Sequence, residues 1–209
     1  MTESSKRTIA VFDFDGTITK RDTLAPFLAK FAGKTRVVIA GLRHAPSMLA
    51  AAIGFGDRDA AKEKFLITLI GGRLEGELIS DGLDYAALVL SEKQFNTLVI
   101  ERLTWHIDEG HEVVVISASL DVYIQRVAAS LGATKAFGTE IEVNGGVLTG
   151  RLLGGNVRAA NKVQRLDKWL DGQDCEVWAY GDSSGDDHLL ERADHPHRVK
   201  NGEIQPITY

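Results

Sequence analysis

Ile9-Ala10-Val11-Phe12-Asp13-Phe14-Asp15-Gly16-Thr17-Ile18-Thr19 is the stretch from which the rest of the chain can be placed. Its four leading apolar residues suit a strand buried on both faces of a parallel sheet, where helices lie above and below. The run stops at Asp13, so a carboxylate stands where the strand leaves the sheet. In open α/β sheets, ligands bind outside that carboxyl end. Asp13 and Asp15 are two residues apart, and Gly16 permits a turn sharp enough to fold the intervening backbone around a small ion. Two carboxylates so close repel unless a cation or a proton intervenes. A divalent metal is the simplest relief. A bare pair of acids could equally be a solvated turn, but the strand before and Gly-Thr after argue for a site.

At 209 residues, with 44% hydrophobic and 25% charged residues, the chain is long enough to bury a core in one domain with a large insertion or in two small ones. A net charge of -5 gives no basic face for nucleic acid, so none is expected as a partner. The single cysteine, Cys175, excludes an internal disulfide and fits a reducing compartment. Lys6 and Arg7 precede an apolar run, but Asp13 interrupts it too early for a signal peptide. The expected location is cytoplasmic.

Residues 1 to 7 read as a loose polar lead. From Thr19 to about Gly110 there is little strand character. Leu24, Phe27, Leu28 and Phe31 recur at helical spacing with Gly33 as a stop, and Val37 to Ile53 is apolar around Arg43-His44-Ala45-Pro46. Asp57 or Asp59 can cap a helix carrying Phe65, Leu66, Leu69 and Ile70, and Leu98, Leu103, Trp105 and Ile107 define another. The region reads as a bundle of several short helices. Strand Val113–Ile116 follows and ends at Ser117, then come a helix with Ile124 and Val127, and a hairpin turning at Asn144-Gly145-Gly146. Val163, Leu166 and Leu170 line a further helix; Val177–Tyr180 is the last strong strand, and Val199 and Ile204 flank a short terminal hairpin. Strands thus alternate with helices, giving a doubly wound, Rossmann-like parallel sheet. The exception is an insert of roughly ninety residues, far longer than an ordinary crossover, read as an all-helical lid spanning 21–109 over a core of 1–20 and 110–209.

The parallel-strand candidates end in polar residues, Asp13, Ser117 and Asp182, and right-handed crossovers bring such ends to one edge. Ser117 and the helix start behind it offer a hydroxyl and free N–H groups for an anion, while Ser119 is expected only to cap that helix. Lys162 falls in the first turn of a helix, where a cation opposes the helix dipole and calls for an acidic neighbour. His195-Pro196-His197 lies in what reads as a polar tail, and His44, His106, His111 and His188 show no partner pattern. Cys175 lacks an activating context.

Phe-Asp-Phe-Asp-Gly-Thr-Ile-Thr (residues 12–19) resembles the first motif of the haloacid dehalogenase superfamily, whose phosphatases carry D-x-D-G-T after a hydrophobic strand. Gly181-Asp182-Ser183-Ser184-Gly185-Asp186 is similar to that family's fourth motif, G-D-x-x-x-D, and the family places a lysine at a helix start between its second and fourth motifs, as with Lys162. The order of motifs around a helical insert resembles the branch with a C1 cap that includes phosphoserine phosphatases. Within it, Asn144–Gly150 with Gly155-Asn156-Val157 is similar to the hairpin of subfamily IB. The resemblance implies Asp13 as nucleophile, Asp15 as acid and base, and Ser117 and Lys162 as stabilisers of the phosphoryl group. It also implies substrate contacts from Asp22 and Thr17, and Mg2+ held by Asp13, the Asp15 carbonyl, Asp182 and Asp186. The hard oxygen donors agree with that ion.

Departures bear on the substrate. Phosphoserine phosphatases carry Ser-Gly-Gly at the second motif, whereas this chain has Ser117-Ala118-Ser119, and no arginine for a substrate carboxylate is evident near Lys64–Thr68. Val37–Ile53 invites comparison with membrane-bound phosphatidylglycerophosphate phosphatases, but Arg43, His44 and Pro46 make a poor span and membrane contact is not expected. The implied activity is hydrolysis of a small phosphate ester, with a phospholipid phosphatase as the alternative. A phospho-acceptor signalling module also uses acids, a hydroxyl and a lysine. It lacks the long lid, G-D-x-x-x-D and a counterpart of Asp15. A fold of this family that binds without turnover would have lost motif residues that are all present here.

Overall fold

The computed structural model describes residues 7–91 and 94–208, so most of the polar lead lies outside the described residues. Its centre is a seven-stranded sheet in the order β4-β3-β2-β1-β5-β6-β7. These are β1 (Arg7–Phe12), β2 (Glu112–Leu120), β3 (Lys135–Asn144), β4 (Val147–Leu153), β5 (Cys175–Gly181), β6 (His195–Lys200) and β7 (Glu203–Pro206). The five central strands run parallel, and antiparallel β4 and β7 close the two edges. The expected doubly wound sheet is thus present. After β1 the chain builds β2 and β3 on one side and β5 on the other, so the carboxyl end of β1 is the switch point where crevices form.

Period-two alternation along β1 divides the core. Ala10 and Phe12 face one apolar cluster and Ile9 and Val11 the other, all fully buried. Burying each Val, Ile or Phe in this way contributes roughly 1.5–3 kcal/mol. The second cluster is covered by α7 (Ala160–Leu170) and α8 (Asp187–Arg192), through Leu166, Leu170, Leu189 and Leu190. The first is shared with the insert between β1 and β2, which comprises α1 (Leu24–Ala32), α2 (Lys34–Ala52), α3 (Arg58–Ile70), α4 (Glu75–Ser91) and α5 (Thr97–Asp108). Behind β2 lies α6 (Asp121–Ser130), whose Tyr123, Ile124 and Val127 join that same cluster.

The insert is fastened to the sheet as well as packed on it. Gly72 and Arg73 exchange backbone bonds with Leu148 of β4 (Gly72 N to Leu148 O 2.8 Å, Leu148 N to Arg73 O 2.8 Å), and Glu75 N donates to Gly146 O at 3.0 Å. Glu63 adds a side-chain bond, accepting from Leu152 N at 2.9 Å.

Several readings of the sequence need correcting. The helices are not all short, since α2 runs for 19 residues. α4 escaped notice because its buried Leu78, Gly82, Tyr85, Ala86 and Val89 include a glycine that breaks the apolar stripe. α5 buries Val99, Leu103 and His106, whereas Leu98, Trp105 and Ile107 are exposed. Strand β2 continues past Ser117 to Leu120, with a register shift between Ile116 and Leu120. His195-Pro196-His197 belongs to β6 rather than to a tail, its rings stacking on Trp178 and Tyr180. Among the described residues, no helix is long and apolar enough to cross a membrane.

Candidate active site

Asp13 follows β1 while its backbone N–H still bonds Tyr180 O of β5 at 2.9 Å, which holds the carboxylate at the sheet edge. Lys162, in the first turn of α7 and 2% exposed, donates from Nζ to Asp13 Oδ1 and to Asp186 Oδ1, the latter at 2.6 Å. The acidic neighbour that its helix position demanded is therefore supplied twice. Asp13, Asp182 and Asp186 each bring an oxygen within 4.8 Å of the others. Two glycines allow this crowding. A Cβ on Gly16, whose φ is +80°, would lie 2.3 Å from Asp182 Oδ2, and one on Gly181 would lie 2.4 Å from the Asp186 Cβ. Ser183 N and Oγ donate to Asp186 Oδ2 at 3.1 and 3.2 Å and fix its second oxygen.

Three carboxylates, two of them buried and Asp182 partly so, and one ammonium leave this cluster with excess negative charge. Burial pushes the Asp13 carboxyl up, and the repulsion of Asp186 adds to it against the pull of Lys162. Burial also works against the charge on Lys162, but Asp13 and Asp186 outweigh it and hold its pKa above the ordinary value. A hard divalent cation fits this set of donors, all of them carboxylate oxygens.

Asp15 turns its side chain away from that cluster. Its Oδ1 accepts from Thr23 N at 2.7 Å and Thr23 Oγ1 at 2.6 Å; its Oδ2 accepts from Ser119 Oγ at 2.5 Å, with Ser117 Oγ at 3.4 Å. Thr23 is itself set by Tyr123, whose OH lies 3.0 Å from its hydroxyl, and by Tyr85 OH, which donates to its carbonyl at 2.9 Å. Burial pushes the Asp15 carboxyl up, opposed by the Ser119 and Thr23 hydrogen bonds. The reading of Ser119 as a helix cap is overturned: α6 starts without a side-chain cap, and Ser119 serves Asp15 instead. Ser117 and Ser119, two apart in β2, share the side of the strand that meets this carboxylate, and Ser119 N donates to Ser117 Oγ at 3.0 Å.

A cavity of about 280 Å³ opens over these groups, lined by Asp13, Asp15, Asp22, Ser119, Lys162 and Asp186. Asp22 sits at its rim and accepts from Ala25 N at 2.9 Å, opening α1. Its other wall is basic, made of Arg58 and Lys62 from α3 and of Arg158, with Asn156 beside them. Lys62 Nζ donates to Ala118 O at 2.5 Å and Asn156 Oδ1 at 2.6 Å, and Asn156 Nδ2 donates to Asp59 Oδ1 at 2.7 Å. Burial pulls the Lys62 ammonium down to about 8, although Asp59 opposes it. Arg58 and Lys62 are four residues apart just inside the Asp57 cap, a helical spacing that could have flagged them. Thr17 does not line the cavity; it is fully buried and its hydroxyl has no partner. Asp182 faces a second cavity of about 560 Å³ with Gly16, Lys20, Asn96 and Lys200.

Two of the histidines without a sequence pattern find each other. His106 Nε2 lies 2.8 Å from Tyr180 OH and its Nδ1 2.8 Å from His111 Nδ1. They brace the core rather than line the cavity.

The family model of the haloacid dehalogenase-like hydrolases matches residues 10–191. Protein CicA of Caulobacter vibrioides is 32% identical over 191 residues, which cover 89% of this chain and 83% of that protein. The phosphoserine phosphatase of Archaeoglobus fulgidus is 34% identical over 89 residues, 41% of this chain and 26% of that one. Among solved structures, a protein of unknown function from Bordetella pertussis Tohama I superposes with a TM-score of 0.74 at 24% identity, covering 90% of this chain and 87% of the other.

Proposed function

The chain belongs to the haloacid dehalogenase-like hydrolase family, and from that premise we propose that it hydrolyses phosphate monoesters of small metabolites through a phosphorylated Asp13. The observation that carries this reading is the division of labour between two acids two residues apart. Asp13 is paired with a buried ammonium and crowded by further acids, whereas Asp15 is tied to neutral hydroxyls and faces the same cavity.

In the first step an Asp13 oxygen attacks phosphorus as the ester P–O bond breaks, and Asp15 gives its proton to the departing oxygen. In the second, Asp15 takes a proton from water, whose oxygen attacks the phosphorus, and inorganic phosphate leaves Asp13. The raised pKa of Asp15 suits the first role, and the grip of Thr23 and Ser119 keeps one orientation through both. Lys162 holds the Asp13 carboxylate in place and offsets charge as it is passed to the phosphoryl oxygens. Asp13, Asp182, Asp186 and the Asp15 carbonyl would hold Mg2+, which when bound neutralises charge on the phosphoryl group. Ser117, expected to touch the phosphoryl group, is fully buried and does not line the cavity; its hydroxyl reaches Asp15 and Ser119 instead, so it acts through Asp15.

The basic wall supports a substrate with a second anionic group near its leaving oxygen, against Arg58, Lys62 and Arg158. Arg58 corrects the expectation that the insert offers no arginine there; it stands on the first turn of α3, ahead of Lys64–Thr68. In this reading residues 21–109 form the cap that selects the substrate. A phospho-acceptor module has no use for an acid held as Asp15 is, because rapid release would defeat signalling.

Release of phosphate from p-nitrophenyl phosphate tests the proposal. Activity is expected with magnesium, should vanish in excess EDTA and return on adding the metal, and should be lost in Asp13→Asn. Full activity in EDTA, or substantial activity in purified Asp13→Asn, overturns it.

A further inference from the structure

Helix α2 exposes a stripe of large apolar side chains that nothing else in the described chain covers. Val38, Leu42, Leu49 and Ile53 fall at i, i+4, i+11 and i+15, hence on one side of the helix, with Ile39 beside them and Phe55 in the turn that follows. Leu42 is 73% exposed and Phe55 85%. The opposite side, with Ala40 and Ala51, is buried against the other helices. Single exposed leucines are ordinary on any protein, but a continuous stripe marks a surface that meets something apolar.

Charge decides what that is. From Lys34 to Gly56 there is no Asp or Glu, and Lys34, Arg36 and Arg43 are the charged residues, in a chain whose net charge is -5. At 100° per residue, Lys34 falls on one flank of the stripe and Arg36 and Arg43 on the other. A second copy docking symmetrically through this stripe would offer no acid from residues 34–56 to meet these cations. A surface bearing phosphates at the level of the flanks and hydrocarbon beneath them matches both features. The helix is not one that can cross a bilayer, so it would lie in the interface plane.

We propose that α2 docks flat on an anionic lipid bilayer, Val38, Leu42, Leu49 and Ile53 entering the acyl boundary while Lys34, Arg36 and Arg43 contact headgroup phosphates. This replaces the expectation of no membrane contact, which weighed only whether Val37–Ile53 could span. Through its opposite, buried side the same helix packs against the helix that supplies part of the cavity wall. α2 lies along α3, with His44 Nε2 2.9 Å from Thr68 Oγ1 and Arg58 Nε donating to Ala51 O at 3.1 Å, and α3 supplies Arg58 and Lys62 to the basic wall. The inference does not depend on the catalytic reading.

Flotation of the full chain with two kinds of vesicle tests it: phosphatidylcholine alone, and phosphatidylcholine mixed equally with phosphatidylglycerol. At low salt the protein should float with the mixed vesicles about tenfold more than with phosphatidylcholine alone, and high salt should release part of it. Leu42→Glu combined with Leu49→Glu should cut vesicle binding by about tenfold while leaving the thermal melt unchanged, because both side chains are already exposed. Arg36→Gln with Arg43→Gln should chiefly remove the preference for phosphatidylglycerol. No flotation at low salt, or equal flotation of the glutamate variant, overturns the proposal. A wild-type dimer in sedimentation that the glutamate variant dissolves also overturns it and assigns the face to a second copy.

Discussion

Lys162→Met keeps the buried stem of the side chain and removes the ammonium that Asp13 and Asp186 share. Lysine and carboxylates are exposed by only 2%, 6% and 1%, so water cannot take over the lost partner. Breaking a buried ion pair from one side costs about 3–5 kcal/mol, a large part of the roughly 5–15 kcal/mol by which domains are stable. The cost should depend on pH. With the ammonium gone, burial keeps the Asp13 carboxyl protonated in the folded state to higher pH than in the unfolded chain. Folding then binds protons, so stability is retained in acid and lost as pH rises above the ordinary carboxylate range. In metal-free buffer the variant should unfold in urea near wild-type concentrations at about pH 5 and at much lower ones by about pH 8. Magnesium should restore more stability to the variant than to wild type, since the acids again face positive charge. Phosphate release should fall by about 10²–10³, the effect of losing one preorganised electrostatic contact. An equal loss of stability at both pH values, or a rate within tenfold of wild type, would refute the reasoning.

Asp15→Asn should slow hydrolysis of alkyl phosphates by about 10²–10⁴; with an aryl ester, whose leaving group needs little protonation, rapid-quench kinetics should show a burst and a phosphoryl adduct on Asp13. Equal losses on both esters without an adduct would remove Asp15 from the acid–base role. Because the Lys62 ammonium titrates at about 8, KM for a doubly anionic ester should climb as pH rises through that value; in Lys62→Met it should be high throughout, with that limb gone. Burial and the neighbouring His111 hold His106 down to about 3 against an ordinary 6.5, so the unfolded chain binds a proton that the fold does not. Thermal stability should fall as pH drops below about 6.5, less so in His106→Gln, and parallel melting curves for the two proteins would count against this.

What could be read from the sequence was whatever rests on local pattern. A four-residue apolar run ending in Asp13 located β1 and its useful end, and the dipole argument asked for an acid beside Lys162 before any was in view. Ser119 and Arg158 were not found that way. Ser119 falls beyond the apolar run, which stops at Ser117, whereas β2 continues to Leu120, and Arg158 reaches the cavity from a loop far along the chain from Asp13. His195-Pro196-His197 was misplaced for a similar reason. A proline between two polar rings argues against a strand until Trp178 and Tyr180 provide the surface on which the rings stack. Thr17 shows the opposite failure: a motif position that the geometry keeps out of the cavity.

The bonds between the β3–β4 hairpin and residues 72–75, together with the apolar cluster that runs from Phe12 through Phe27 and Leu66 to Leu148, make the insert and the sheet a single cooperative unit. Neither can melt far while the other stays whole, so unfolding should pass through one transition even though one element interrupts the other in sequence. A molecule held between α3 and the sheet therefore stabilises the entire chain and not a lobe of it. The midpoint of that single transition becomes a gauge of occupancy that needs no turnover to be read.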